Sequence, residues 1–324
     1  MEFSPKSPNS LVGEYRELVA SQAPLALMLV NGAAWGVTKR GELAENETQA
    51  DISWILAAHK GTLEKLPLLL PHDRLPSSLE LIAAARNLFE NLVWTKLFQL
   101  DPKWGEHFYG RFLKDQLDDL NGLTAKIMAE IELFKIFDEE DSAATDQWIA
   151  DLDSGSESRP DHIKSARDKH DERLVEIDRR ARRTFSLYAT QAVFNGYGFQ
   201  VHLLESTELP RIQSELANIQ ARVDAFKSEV NDEAKIDRYF RNFNWAHAAN
   251  LVGMMPQYEY LYRLTSRLLH SGPMNILTEK ELSESEQMIL LEYMVVAAMD
   301  IFELIEAFDF PGRLRVAMIE LESK

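Results

Sequence analysis

Helical periodicity along most of the chain is the feature that most limits what this sequence can fold into. Apolar residues recur at intervals of three and four, the spacing of one face of an α-helix, for example at Ile52, Ile55, Leu56, Leu63 and Leu66. No segment shows the sustained alternation of Val, Ile or Thr between hairpin turns that half-buried strands show. The sequence therefore predicts an all-α protein, a bundle of many helices with little or no sheet.

Glycine, proline and acidic stretches separate the predicted helices. We expect helices over 11–30, 48–66, 78–99, 103–137, around Trp148, and over 161–193, 209–230, 244–251, 258–270 and 283–308. The acidic stretch 138–146 is expected to end the fourth helix, and the serine-rich stretch 153–160 to form a flexible linker. We divide the chain into an N-terminal helical extension, residues 1–75, and a helical domain, residues 76–324.

The composition indicates a packed protein of a reducing compartment. Hydrophobic residues make up 45% of the 324 positions, which is normal for a globular core. There is no cysteine, which excludes disulfides, thiolate metal sites and a cysteine nucleophile. Residues 1–10 lack the basic and apolar regions of a secretory signal, and the apolar stretch near 288–302 is interrupted by Glu292 and Asp300. We expect a soluble, cytoplasmic protein with no membrane partner.

Net charge and missing motifs exclude most well-marked functions. The formal charge is −17, so any nucleic acid must be held by a local basic patch or by one built through oligomerisation. Glycine-rich phosphate loops, a His-Glu-x-x-His helix and a nucleophile elbow are all missing. No two of the eight histidines lie three or four residues apart. We therefore expect neither a metal nor a cofactor.

The segment 258–273 is the strongest candidate for chemistry. On a helix, Arg263, Ser266, Arg267 and His270 fall on a polar arc opposite an arc of leucines. Histidine transfers protons near neutral pH, and arginine binds phosphate with a permanent charge. We interpret His270 and Arg263 as catalytic candidates, with Arg267 and Ser266 supporting them.

The spacing within this segment favours two copies of the chain. Arg263 and His270 are seven residues apart, and both side chains lean toward the start of the helix. They meet one phosphate best if a second copy of the helix packs antiparallel, so we expect a homodimer. The alternative is structural: His270 stabilises the helix C-terminus and Glu259 forms an exposed ion pair with Arg263.

Arg86 and Glu90 are the second candidate pair. Arg86 projects inside or beside an apolar helical arc, where a charged side chain needs a partner. Glu90 lies one turn on, so an Arg86–Glu90 ion pair that fixes the packing is one interpretation. In the other, the pair supports a cleft, and Glu90 orients Arg263, Arg267 or His270.

A basic run is the third feature. Residues 159–183 carry more basic than acidic side chains, and the densest cluster is Arg179, Arg180, Arg182 and Arg183. These four are candidate contacts to a nucleic-acid backbone. The alternative is a solvated helix with ion pairs between successive turns.

Two blocks of residues resemble the motifs of a known family. The first is Arg86-Asn-Leu-Phe-Glu90 with Trp94, Asp101 and Pro102, and the second comprises Asn244, Trp245, His247, Tyr258, Tyr262, Arg263, Ser266 and His270. Together they resemble the DUF5677 family of bacterial helical domains, over about residues 75–280. That family is similar to HEPN domains, many of which are metal-independent ribonucleases or parts of toxin and antiphage systems. Such domains commonly act as dimers with an Arg…His motif at the shared cleft.

The resemblance implies an HEPN-like protein that cleaves or binds RNA in a bacterial toxin or antiphage defence system. Arg263 and His270 are the positions that match the motif, and the activity implied is that of a metal-independent endoribonuclease. Leu264 stands where active nucleases usually carry a polar residue. The alternative is a non-catalytic helical interaction or sensor module that binds a partner protein or a small ligand such as a nucleotide.

Overall fold

Helices make up almost all of the chain that can be described. The computed structural model describes residues 7–41, 47–153, 160–269 and 281–308. No strand occurs within these four ranges, so the predicted all-α class is confirmed.

The helices follow one another with short connections. In chain order they are α1 (Pro8–Gly41), α2 (Glu47–Lys65), α3 (Ser78–Leu100), α4 (Trp104–Asp153), α5 (Pro160–Arg183), α6 (Ala189–Asn195), α7 (Tyr197–Leu203), α8 (Leu209–Val230), α9 (Glu233–Phe240), α10 (Trp245–Leu251), α11 (Met255–Leu269) and α12 (Glu284–Ala307). A short 3₁₀ turn, Leu66–Leu68, follows α2, and a π-helical turn, Leu204–Glu208, joins α7 to α8.

The chain forms two compact units, and the first is discontinuous in sequence. It comprises residues 1–111 and 238–324. In it α12 packs against α1 and α3, and α11 packs against α3. Buried residues of these four helices form one core, among them Tyr15, Val19, Leu88, Phe89, Val93, Leu97, Leu261, Met294, Ile301 and Ile305.

The same N-terminal signal starts two of these core helices. The hydroxyl of Ser77 accepts the backbone N–H of Glu80, and the Glu80 carboxylate accepts the backbone N–H of Ser77. Ser283 and Glu286 form the equivalent pair at α12. This capping box satisfies backbone donors that have no partner inside a helix, which is why α3 begins where the sequence predicts.

The second unit is the continuous segment 112–237. Its core lies between the second half of α4 and the helices that follow, and includes Ile127, Phe134, Phe137, Ile177, Ala181, Ala192, Tyr197, Leu204 and Ile212. The predicted boundary at residue 75 lies inside the first unit, because α1 and α2 contribute to that unit's core. Residues 154–159, the centre of the predicted linker, are outside the described ranges.

The acidic stretch 138–146 does not end a helix, contrary to the sequence-based expectation. α4 continues from Trp104 to Asp153, since Phe137 and Ala144 keep the buried face intact through this stretch. Two of the acids on the other faces have partners. Asp138 accepts the backbone N–H of Gly198 at 2.8 Å, and Glu140 forms an ion pair with Arg180 at 2.7 Å.

The predicted helix 161–193 is instead two helices. α5 ends in a turn in which the backbone N–H groups of Phe185 and Ser186 return to carbonyls of α5 at 3.1 and 3.4 Å. Phe185 has a φ of +53°, the left-handed conformation that commonly ends helices. The buried carboxylate of Glu130 then accepts the backbone N–H of Leu187 at 2.6 Å. This side chain fixes the turn from a distant part of α4.

One described helix, α1, is long and apolar enough to cross a membrane when judged by length and composition alone. The segment is Pro8–Val37, with a mean hydropathy of 1.3. Residues 18–37 contain no charged side chain, a longer uncharged run than the 288–302 stretch singled out from the sequence. Core helices of soluble proteins and signal sequences pass the same test, and Tyr15 and Val19 of α1 lie in the core of the first unit. The finding assigns neither a location nor a partner.

Candidate functional site

The two sequence blocks that carry the family resemblance come together where α11 packs against α3. Arg86 of α3 donates from Nη2 to the hydroxyl of Tyr262 of α11 at 3.2 Å, across 176 residues of sequence. The guanidinium carbon lies 4.4 Å from the centre of the Tyr262 ring. Tyr258 lies one turn before Tyr262 on α11, and the centres of the two rings are 4.2 Å apart.

The predicted Arg86–Glu90 ion pair is present. Arg86 Nε donates to Glu90 Oε1 at 2.9 Å, with both side chains partly exposed. The Tyr262 hydroxyl donates to the same carboxylate oxygen at 3.4 Å. Burial, followed by the charge of Glu90, raises the pKa of Tyr262 to about 12. Tyr262 is therefore protonated at neutral pH and remains a hydrogen-bond donor.

A cavity of about 320 Å³ lies beside this cluster, at the lower end of the range for small-molecule sites. It is lined by apolar residues from the first two turns of α3, by polar residues from the next two turns and by one residue of α11. These are Leu79, Ile82, Ala83, Arg86, Asn87, Glu90 and Thr265. A guanidinium has five N–H donors, and Glu90 and Tyr262 occupy two of them. The others suit a phosphate or carboxylate that enters the cavity.

Asn87 and Thr265 are the polar lining residues that sequence reasoning missed. The Asn87 side-chain oxygen accepts from Asn91 at 2.8 Å, and Thr265 donates to the Leu261 carbonyl at 2.8 Å. Asn87 and Asn91 are separated by one helical turn, a spacing visible in the sequence. The position of Asn87 and Thr265 on one cavity follows only from the long-range packing of α3 with α11.

Arg263 does not line this cavity. Its side chain is exposed and its guanidinium lies 5.5 Å from the centre of the Tyr260 ring. The reason is helical geometry: Tyr262 and Thr265 face α3, Leu261 and Leu264 are buried, and Arg263 projects from the remaining side. The side chains of Ser266 and Arg267, and His270 as a whole, are outside the described residues.

The four arginines proposed to bind nucleic acid all have carboxylate partners in the second unit. Arg179 and Arg183 pair with Glu176 at 3.0 and 3.7 Å, Arg182 pairs with Asp178 at 2.8 Å, and Arg180 pairs with Glu140 at 2.7 Å. Two of these pairs, Arg179–Glu176 and Arg182–Asp178, join successive turns of α5, as the ion-paired alternative predicts. The side chains are nonetheless substantially exposed, and exposed ion pairs are weak.

Within the described ranges, no three His, Asp or Glu side chains are grouped as metal ligands would be. The polar groups that line the α3–α11 cavity are the Arg86 guanidinium, the Glu90 carboxylate, the Asn87 amide and the Thr265 hydroxyl, and the Tyr262 phenol lies beside Arg86. Comparisons with models of protein families, with curated proteins and with solved structures gave no match.

Proposed function

We propose that the chain is an HEPN-like protein that binds and cleaves RNA in a bacterial toxin or antiphage defence system. The observation that carries this proposal is the Arg86–Tyr262 contact, which joins the two resembling sequence blocks at one cavity. Membership of the DUF5677 family, a cytoplasmic location and a homodimeric assembly belong to the same proposal.

The role that we assign to each residue follows from the chemistry of its side chain. Arg86 binds an RNA phosphate with the N–H groups that Glu90 and Tyr262 leave over. His270 acts as general base or acid for the 2′-hydroxyl or the leaving 5′-oxygen. In the proposed homodimer, Arg263 of one copy lies near His270 of the other and stabilises the charge that develops on phosphorus, since a permanently charged guanidinium needs no proton transfer to do so. Arg267 and Ser266 assist on the same helix.

Substitution of the catalytic candidates tests the proposal. Wild-type protein should cleave cellular RNA in a buffer with a metal chelator. His270→Ala should cleave it at least a hundredfold more slowly, because general acid–base catalysis contributes about 10²–10⁴. Arg86→Ala should also slow cleavage, and its matched control is Arg74→Ala, since Arg74 likewise pairs with a glutamate of α3 but does not line the cavity. Equal cleavage by wild type and a folded His270→Ala variant excludes the catalytic role.

A second candidate function is supported by the position of Arg263 outside the cavity. In this version the cavity binds a nucleotide or another small anion without cleaving anything, and the chain acts as a sensor or interaction module. Mass spectrometry of small molecules released from the purified, denatured protein distinguishes the two functions. A nucleotide retained by wild type and lost in Arg86→Ala, without RNA cleavage by either protein, supports the sensor.

A further inference from the structure

One side of α1 exposes three large apolar side chains. Leu25, Met28 and Trp35 are 56%, 64% and 66% exposed. With about 100° of turn per residue, the three lie within an arc of about 80°, so the helix itself places them on one face. Val19 and Val30 lie on the opposite side of α1 and are buried in the core of the first unit. We call the three exposed residues the α1 outer face.

Burial does not explain why α1 is so apolar. Residues 18–37 carry no charged side chain, yet only 17% of the most apolar stretch of 18 residues is buried. A core helix of a soluble protein is this apolar when most of its residues are buried. The apolar character of α1 therefore exceeds what packing within the described chain requires.

α12 packs in the same core and shows the pattern of a helix that faces water. Val296 is 56% exposed, but Glu292 and Glu303 lie on the same side of α12, one and two turns away, and are exposed as well. The outer face of α1 has no charged neighbour of this kind between Glu17 and residue 37. This difference indicates that the α1 outer face is suited to surroundings other than water.

The size of the α1 outer face favours lipid over a second protein chain. If each of its three side chains buried as much as a large aromatic residue, at most about 250 Å², their total would still be below the about 800 Å² per partner of a standard protein interface. Lipid needs no complementary shape, and interfacial helices enter it by only about 5–10 Å. Trp35 fits this setting, because tryptophan is enriched at the boundary between membrane and water.

The fold allows α1 to lie on a membrane but not to cross it. The hydroxyl of Tyr15 donates to the carbonyl of Leu66 at 2.9 Å, and α1 packs along α12. A spanning α1 would remove Val19 and Val30 from the core of the first unit. Contact with lipid is therefore limited to the outward side of the helix.

Charge determines which lipid surface is suitable. Glu14 and Glu17 are exposed just before the uncharged run, and the chain has a net charge of −17. Many interfacial helices add the attraction of Lys and Arg to anionic lipids, but here the net charge opposes an anionic surface. Binding must come from apolar burial, so a zwitterionic surface is favoured.

We propose that the α1 outer face attaches the protein to a zwitterionic lipid surface, with Leu25, Met28 and Trp35 inserted at the level of the headgroups. The attachment is peripheral and reversible, because only three side chains enter the lipid. It goes beyond the proposed function, since it requires neither RNA nor the α3–α11 cavity. It also differs from the sequence-based expectation of no membrane partner, which rested on residues 1–10 and 288–302 and did not consider α1.

The test measures co-sedimentation of the full-length protein with phosphatidylcholine vesicles. Met28→Glu should weaken binding about tenfold, because a charge replaces an apolar side chain that is buried in lipid. The matched control is Val296→Glu, which adds the same charge at a similarly exposed apolar position of α12. The control should bind as wild type does.

Trp35 provides a second measurement that does not depend on affinity. Phosphatidylcholine with brominated acyl chains quenches the fluorescence of tryptophans that enter the bilayer. Quenching should occur in wild type and disappear in Trp35→Phe, which keeps an aromatic ring at this position. Vesicles that contain phosphatidylglycerol should bind more weakly, and added salt should reduce the difference by screening the repulsion.

Three results would overturn the proposal. They are no binding of wild type to phosphatidylcholine vesicles, equal binding by wild type and a folded Met28→Glu variant, and quenching that persists in Trp35→Phe. If wild type ignores vesicles but Met28→Glu changes the mass found by light scattering, the α1 outer face contacts protein and not lipid.

The outcome is separable from that of the proposed function. His270→Ala should bind vesicles as wild type does, because His270 is not part of the α1 outer face. Met28→Glu should cleave RNA at the wild-type rate. Each proposal can therefore fail while the other stands.

Discussion

At the scale of single residues, Asp51 is a side chain whose ionisation the fold clearly changes. It lies in α2, and its carboxylate accepts the backbone N–H of Glu106 in the first turn of α4. Burial, followed by the charges of Glu106 and Asp101, raises its pKa from an ordinary value of 3.8 to about 6. The folded state therefore holds this proton more tightly than the unfolded state. The resulting stabilisation is complete below about pH 4 and is lost as pH rises through 6.

We predict that Asp51→Asn stabilises the protein at pH 8 and not at pH 4. Asparagine keeps an acceptor for the Glu106 N–H but cannot carry the unfavourable charge. The gain at pH 8 should be about 1 kcal/mol, less than the full pKa shift implies because the carboxyl is partly exposed. Thermal unfolding followed by circular dichroism at pH 4, 6 and 8 measures it. A difference between the two proteins that is the same at all three pH values contradicts the assignment to Asp51.

At the scale of elements, α2 and α4 approach each other so closely at Gly105 that a side chain cannot fit. A Cβ atom built on Gly105 would lie 2.3 Å from the backbone oxygen of Asp51. Gly122 of the same helix is exposed and has open space at the equivalent point. The same substitution at these two glycines should therefore have opposite effects.

Gly105→Ala should destabilise the protein by about 1–3 kcal/mol, the usual cost of overpacking. Gly122→Ala should stabilise it by about 0.5–1 kcal/mol, because alanine is the better helix former. Urea unfolding of both variants beside wild type checks the signs. Destabilisation of equal size in both would show that the approach of α2 to Gly105 has no special role.

The helices also show which parts of this fold can be predicted from the sequence. Local patterns predicted two features correctly: Ser77 caps the start of α3, and Arg86 forms an ion pair with Glu90 one turn later. The predicted end of α4 at the acidic stretch is wrong, because the buried face that Phe137 continues keeps the helix intact there. The Arg86–Tyr262 contact could not be derived from spacing, since 176 residues separate the two side chains.

At the scale of the whole molecule, we predict a homodimer. The reason is the antiparallel pairing that Arg263 and His270 need in order to reach one phosphate. Light scattering should give twice the chain mass of 37.1 kDa. Two chains that each carry a net charge of −17 repel each other. Salt screens this repulsion, so the dimer fraction should rise with ionic strength. If the mass is that of a single chain at every salt and protein concentration, the arrangement in which two copies share one cleft is excluded.

α1 packs against α12, which lies near the other end of the described chain. The first unit therefore cannot be completed until almost the whole chain has been synthesised. α12 begins about 180 residues after α3 ends, a wait on the order of ten seconds or more at usual translation rates. Residues 112–237 form a continuous unit and can fold during that wait. Until α12 emerges, the core residues of α1, among them Tyr15 and Val19, lack one of their helical partners. This early intermediate therefore exposes apolar surface of the kind that chaperones bind.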